Sequence, residues 1–545
     1  MGLTKSCLFI SLKLDFLPIL WYNTPINNSK IGVAMPISSV SQTSRKMDFQ
    51  MFFIIAVCLC AVSGFVFAAG PQIDWTARYN GQANSNDYAT DMAIDLNGFV
   101  YVSGYAKNIG TNEDFVTIKY SPDGNTIWTR MYDRHDGSDD RAEAIAIDAN
   151  SNIIVAGWSK LPTSLNYDGA VVKYNSAGTE LWKTTYGPIA SDDKFFDVAA
   201  DAGGNIYVVG TINGDGLIIK YTPDGNTAWV KTYDGTGSSY DALYKVAIDG
   251  SGNIYACGET AGTGTGQDCL IVKYSPDNTL LWMDTYNGSA NRWDLLKAIT
   301  LDSAGNVYVT GSVETVSDSN YVTMKYSPVG SRLWTAFYTG TATGSDESRA
   351  IAVSSDGNVV VTGYSEGAAS VDAATVKYNS ATGAQVWASR YNGAGNSTDY
   401  AQAIAADNFG NVYIHGTSVE TGSADYLTIC YDSNGAEKWK MNYNANSLAD
   451  IGSAQIIVDN NNMYVTGYSM ASANNYDYVT IKYVIANLCP VPPAGDLNGD
   501  CQVNFLDLAV FANSYAGWET GYLTLKDIAD TWLDCGLANQ GDCWQ

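Results

Sequence analysis

Short runs of alternating apolar and polar residues fill the chain from residue 74 to residue 483. In one stretch Ala144-Ile-Ala-Ile-Asp148 is followed by Asn152-Ile-Ile-Val-Ala-Gly157, Asp168-Gly-Ala-Val-Val-Lys173-Tyr174 and Leu181-Trp-Lys-Thr-Thr-Tyr186. Runs of this length, rich in Val, Ile, Thr and Tyr and bounded by Gly, Asn and Asp, predict β-strands joined by tight turns. Trp182 and Tyr186 stand four apart, on one face of the fourth strand. No helical period competes within these runs.

The four-strand unit recurs. A Trp followed four residues later by Tyr appears at Trp75, Trp128, Trp182, Trp229, Trp282, Trp334, Trp387 and Trp439, with steps of 53, 54, 47, 53, 52, 53 and 52 residues. Repeats of about 50 residues, each holding four antiparallel strands, predict an all-β, eight-bladed β-propeller. Seven blades is the fallback if one unit is irregular, the shortened third unit being the weakest. The first strand (Asp74–Tyr79) is of the Trp type and the last (Asp477–Tyr483) of the Lys-Tyr type. The ring is therefore expected to close by pairing one N-terminal strand with three C-terminal ones, which removes two sheet edges.

An Asp stands five residues before the Lys of the third strand at Asp114, Asp168, Asp215, Asp268, Asp372 and Asp477. Asn320 takes its place in one unit, and Asp425 precedes Cys430 in another. Groups repeated in every unit read as strand-start or turn-satisfying residues, as do the Asp-x-x-Gly-Asn turns beginning at Asp201, Asp249 and Asp302. The unequal loops mark the functional rim: 133–141, 234–241, 287–294, 339–349 and 392–400. Candidate glycan- or protein-binding residues there are Arg292, Trp293, Tyr240 and Tyr400. The paired carboxylates Asp139/Asp140, Asp192/Asp193 and Asp346/Glu347 offer calcium ligands or, more simply, solvated charge. With two histidines (His135, His415) and no HExxH or Cys-His cluster, the sequence gives little support to catalysis.

These units resemble the bacterial β-propeller repeat family of exported and surface proteins, through a D-x-x-x-x-K-Y…G…W pattern over about residues 74–483. The resemblance implies a fold and leaves function open. An eightfold Trp is also similar to the quinoprotein alcohol dehydrogenases, but their adjacent cysteines are missing here.

Outside the repeats, Met51–Ala69 is an apolar run ending in Val66-Phe67-Ala68, which suits signal-peptide cleavage after Ala68. The competing reading is a membrane anchor, since about 17–25 apolar residues span a bilayer. Residues 47–68 are read as the signal peptide and residues 1–46 as an overextended start, so the protein is expected to be secreted or held at the cell surface. The formal charge is −26, and −29 without the first 68 residues, which argues against nucleic-acid partners. Cys489, Cys501, Cys535 and Cys543 crowd the last 57 residues and predict two disulfides with three possible pairings. Cys257 and Cys269 flank one hairpin and are a third candidate pair. Cys430 stands where other repeats have Lys and reads as a buried, inert thiol.

A Pro-rich linker (484–494) leads to Asp496-Leu-Asn-Gly-Asp-Cys-Gln-Val-Asn-Phe-Leu-Asp507. Asp496, Asn498, Asp500, Asn504 and Asp507 fall at loop positions 1, 3, 5, 9 and 12, with the Gln502 carbonyl at 7, the oxygen pattern of an EF-hand Ca²⁺ loop. Residues 495–545 resemble a type I dockerin module, which implies a cohesin-like or cell-wall partner. The second half lacks the upstream ligands and Cys501 replaces the usual turn glycine, so one calcium site is expected. The functional expectation is an exported, non-catalytic binding or scaffold propeller presented through that tail. The alternative is a polysaccharide hydrolase or lyase delivered by it.

Overall fold

The computed structural model describes residues 70–485, apart from the short loop pieces 109–111, 136, 162–165, 189–190, 238, 421, 446–447, 460 and 473–474. The expected leader, residues 1–46, the expected tail disulfides and the expected calcium loop Asp496–Asp507 lie outside the described residues.

Thirty-two strands form eight four-stranded antiparallel sheets, and no helix occurs among the described residues. The first complete blade is β2 (Asp87–Ile94), β3 (Val100–Lys107), β4 (Glu113–Tyr120) and β5 (Thr126–Tyr132). The eighth combines β30 (Asp450–Asp459), β31 (Asn462–Ser472) and β32 (Asn475–Val484) with β1 (Gln72–Tyr79), which pairs Gln72 with Val484 and Tyr79 with Tyr478. The expected closure is therefore present, and the shortened third unit is a complete blade. Its two-residue turn, Asn213-Gly214, holds both residues at positive φ (52° and 88°), the conformation a tight hairpin requires.

First strands of successive blades touch all the way round, β2 also meeting β30, so they form the innermost ring. Apolar clusters lie between blades: Tyr101 and Phe115 of the first pack with Ala142, Val155 and Val172 of the second.

The repeated residues clasp one blade to the next. Trp128 Nε1 and Lys119 Nζ both donate to the Ser176 carbonyl in the following blade's outer turn, at 3.2 and 2.9 Å. Trp182 and Lys173 do the same to Pro223, and Trp75 and Lys482 close the ring on Pro122. Trp128 also packs on Tyr174 of the next blade (6.2 Å) and on the left-handed turn residue Gly178, where a Cβ would lie 2.8 Å from the indole. Each Asp-x-x-Gly-Asn turn closes as expected: Asp201 accepts from the Gly203 and Asn205 amides and from the Asn205 side chain.

Cys430 now has a structural reason. The lysine of its blade would reach for the outer turn of the eighth blade, but β32 and β1 are not joined by a turn. Cys430 is buried, and burial pushes its thiol up to about 12. The Cys257–Cys269 expectation is corrected. Both are free, buried thiols, because Cys257 pairs with Ile271 and Cys269 with Glu259. Such diagonal neighbours sit about 7–8 Å apart, beyond the usual reach of a disulfide.

Candidate functional site

Every innermost strand begins at an aspartate or directly after one: Asp87, Asp140, Asp193, Asp241, Asp294, Asp346, Asp399 and Asp450, all buried. Each accepts a backbone N–H from the loop beside it, for example Gly81 to Asp87, Gly235 to Asp241, Gly340 to Asp346 and Gly393 to Asp399. Desolvation raises the Asp87 carboxyl to about 7 and those of Asp140 and Asp294 to about 6. Asp140, Asp193 and Asp346, proposed above as halves of calcium-binding pairs, are thus loop caps. Asp114, Asp133 and Asp140 bring carboxylate oxygens within 4.8 Å of one another, as do Asp215, Asp234 and Asp241.

Three residues beyond this aspartate every inner strand is bulged, with the register shifting between Ala89 and Asp91, Ala142 and Ala144, and at matching places around the ring. The neighbouring strand answers with glycine: a Cβ on Gly104 or Gly157 would meet the Tyr88 or Arg141 carbonyl at 2.0 Å. A bulge re-aims side chains and is frequent beside functional sites. Here the bulged residues (Glu143, Phe196, Tyr244, Lys297, Arg349), the residues directly after the aspartates (Tyr88, Arg141, Lys194, Glu347, Tyr400) and their cross-strand partners gather on the rim that carries the long loops.

They form a belt of rings and charges that crosses blade boundaries. Tyr88 contacts Tyr468 of the eighth blade (4.8 Å, edge-on) and Tyr105 of its own (5.1 Å). The Arg141 guanidinium lies over Tyr105 and Trp158 at 4.7 and 5.2 Å and pairs with Glu113. Trp158 packs on Tyr167 (4.4 Å) and donates to Glu143 (3.0 Å), while Lys194 lies over both rings. Burial raises the Glu143 carboxyl against the pull of Trp158 and nearby cations. Farther round, Phe196 meets Tyr244 (5.3 Å), whose hydroxyl bonds Glu259 and whose ring carries Lys297 at 4.5 Å. Arg349 pairs with Glu347 (2.7 Å) and lies over Tyr364, which meets Tyr400 edge-on at 5.3 Å.

Of the residues proposed from sequence, Tyr240 and Trp293 stand out from this rim, 39% and 55% exposed, and both interact with Glu259. Arg292 is exposed beside them, its carbonyl close against Gly266 of the adjoining hairpin. Tyr400 is two blades farther on, against Tyr364. The belt itself was missed, although a signal existed: in the strand pattern Asp-x-Ala-x-Ala-Ile the two x positions vary most. The histidines stay apart from it. His415 is buried, bonded to Thr428 (3.1 Å) and lowered by burial to about 4, and His135 is exposed.

Residues 74–110 and 386–420 match the family model described as beta-propeller repeat. Both matched stretches run from a Trp-bearing outer strand into the next blade. Among solved structures, Sqt1 of Chaetomium thermophilum is 9% identical with a TM-score of 0.49, covering 76% of this chain and 98% of its own. A protein of unknown function from Bacteroides caccae is 15% identical with a TM-score of 0.29, covering 50% and 90%. The polysaccharide lyase Uly1 is 8% identical with a TM-score of 0.40, covering 76% and 99%. No curated protein sequence matches the chain.

Proposed function

We propose that this protein is an exported, non-catalytic binding propeller. Its belt-bearing rim holds a glycan or protein ligand, and its tail (484–545) tethers it through a calcium-binding, dockerin-like module to a cohesin-like or cell-wall partner. The observation that carries the reading is the belt: the most variable positions of a repetitive strand converge on one rim as half-buried rings beside opposed charges. Sites of this make-up bind through stacking and directed hydrogen bonds. The position of the propeller's first and last strands supports it. Gln72 and Val484 lie side by side at the outer-turn rim, opposite the belt, so a tether there leaves the belt facing outward.

Glycan and protein arrays probed with the secreted protein test the reading. Binding lost in Tyr88→Ala and Arg141→Ala variants, without release of reducing ends, is the expected result. Turnover abolished by a single carboxylate substitution would establish the hydrolase or lyase reading instead. For the tail, calorimetry on the full chain should show calcium binding that vanishes in an Asp496→Ala/Asp500→Ala variant.

A further inference from the structure

Where the fourth and fifth blades meet, the belt holds groups whose bonding capacity is left open. Glu259 is 4% exposed; it takes the Tyr244 hydroxyl, while its Oε2 has no hydrogen-bond partner. The Trp293 indole approaches the same carboxylate and leaves the ring 55% exposed. Lys297 stands over Tyr244, near enough to feel the charges of Glu259 and Glu347 but making no ion-pair contact among the described residues. Tyr240, also exposed, senses the Glu259 charge from the preceding loop. A buried carboxylate with one oxygen lacking a hydrogen-bond partner, a cation in ring contact but without an ion pair, and two exposed rings therefore face one place.

We infer that this corner binds one pyranose ring of an uncharged sugar chain, an inference that rests on the binding reading above. The charges decide between ligand classes. An anionic ligand would be set against Glu259, and a cationic one against Lys297. A neutral polyol suits both, donating one hydroxyl to Glu259 Oε2 and accepting from Lys297 Nζ at another, so that a buried polar group gains the bond it lacks. Its C–H face then lies on Trp293, with Tyr240 as the side wall.

The test is titration of the full-length protein with neutral hexasaccharides (cello-, manno- and xylohexaose), with oligogalacturonate and with a peptide library. Tryptophan fluorescence and calorimetry are the readouts. The expected result is saturable binding of at least one neutral hexasaccharide, almost unchanged between low and high salt because no net charge is exchanged. Trp293→Ala should weaken it at least about tenfold, the scale of losing an anchoring aromatic, and Glu259→Gln several-fold, with melting temperatures unchanged. Neutral binding unaffected by both variants, or binding confined to oligogalacturonate or peptides, overturns the assignment while the binding rim stands. No saturable ligand of any class overturns both.

Discussion

At the residue scale, the repeated Lys and Trp act as donors that latch onto a neighbour's turn. Lys173 shows how much depends on one of them: it is 2% exposed, 2.8 Å from Asp148 and bonded to the Pro223 carbonyl. Burial alone would raise the Asp148 carboxyl, but the Lys173 and Asn152 bonds outweigh it and hold it below its ordinary value. Lys173→Met removes the cation and strands a buried carboxylate, which should cost about 3–5 kcal/mol. A denaturant midpoint unchanged from the parent would contradict the clasp. Cys430 is the complementary case. Cys430→Lys restores the repeat consensus yet should destabilise, since the ammonium would be buried with no turn carbonyl to meet; a gain in stability would refute the account of why that blade lacks its lysine.

At the element scale, eight inner strands start from eight buried aspartates, and the titration of Asp87, Asp140 and Asp294 should govern the pH response. An unfolded aspartate releases its proton near 3.8, whereas folded Asp87 keeps it to about 7 and Asp140 and Asp294 to about 6. Over that window the folded state binds more protons, so stability falls as pH rises from about 4 to about 7. The turn aspartates Asp148, Asp249, Asp302 and Asp356 are held low and contribute the opposite slope below about pH 4. Melting temperature should therefore peak near pH 4, and a scan that rises steadily to pH 8 would contradict this. The strands, their pairing and their turns were legible in sequence because alternation and turn chemistry are local. The cap aspartates and the bulges were not, since they become visible only when the loop amide or the facing Gly104 carbonyl contact is in place. Tyr88, Arg141 and Tyr244 were overlooked for the same reason, whereas Trp293 and Tyr240 could be singled out as candidates because unequal loops advertise themselves.

At the scale of the whole molecule, blade number and closure followed from counting tryptophans and noticing that the first was unpaired. The same closure predicts tolerance of rewiring. A circular permutant joining Val484 to Gln72 by a short turn, with new ends in the loop before Asp450, should fold with its strand content intact. Loss of the β-sheet circular dichroism signal would show that the N-terminal strand does more than complete the sheet. Closure also fixes how the molecule meets traction. The tail continues from β32, which is hydrogen-bonded to β31 on one side and β1 on the other. A pull along that strand must shear two ladders together, whereas a terminal edge strand would peel from one. The N-terminal strand is thus a brace: force applied through residue 485 and beyond meets two ladders before it reaches the rest of the ring.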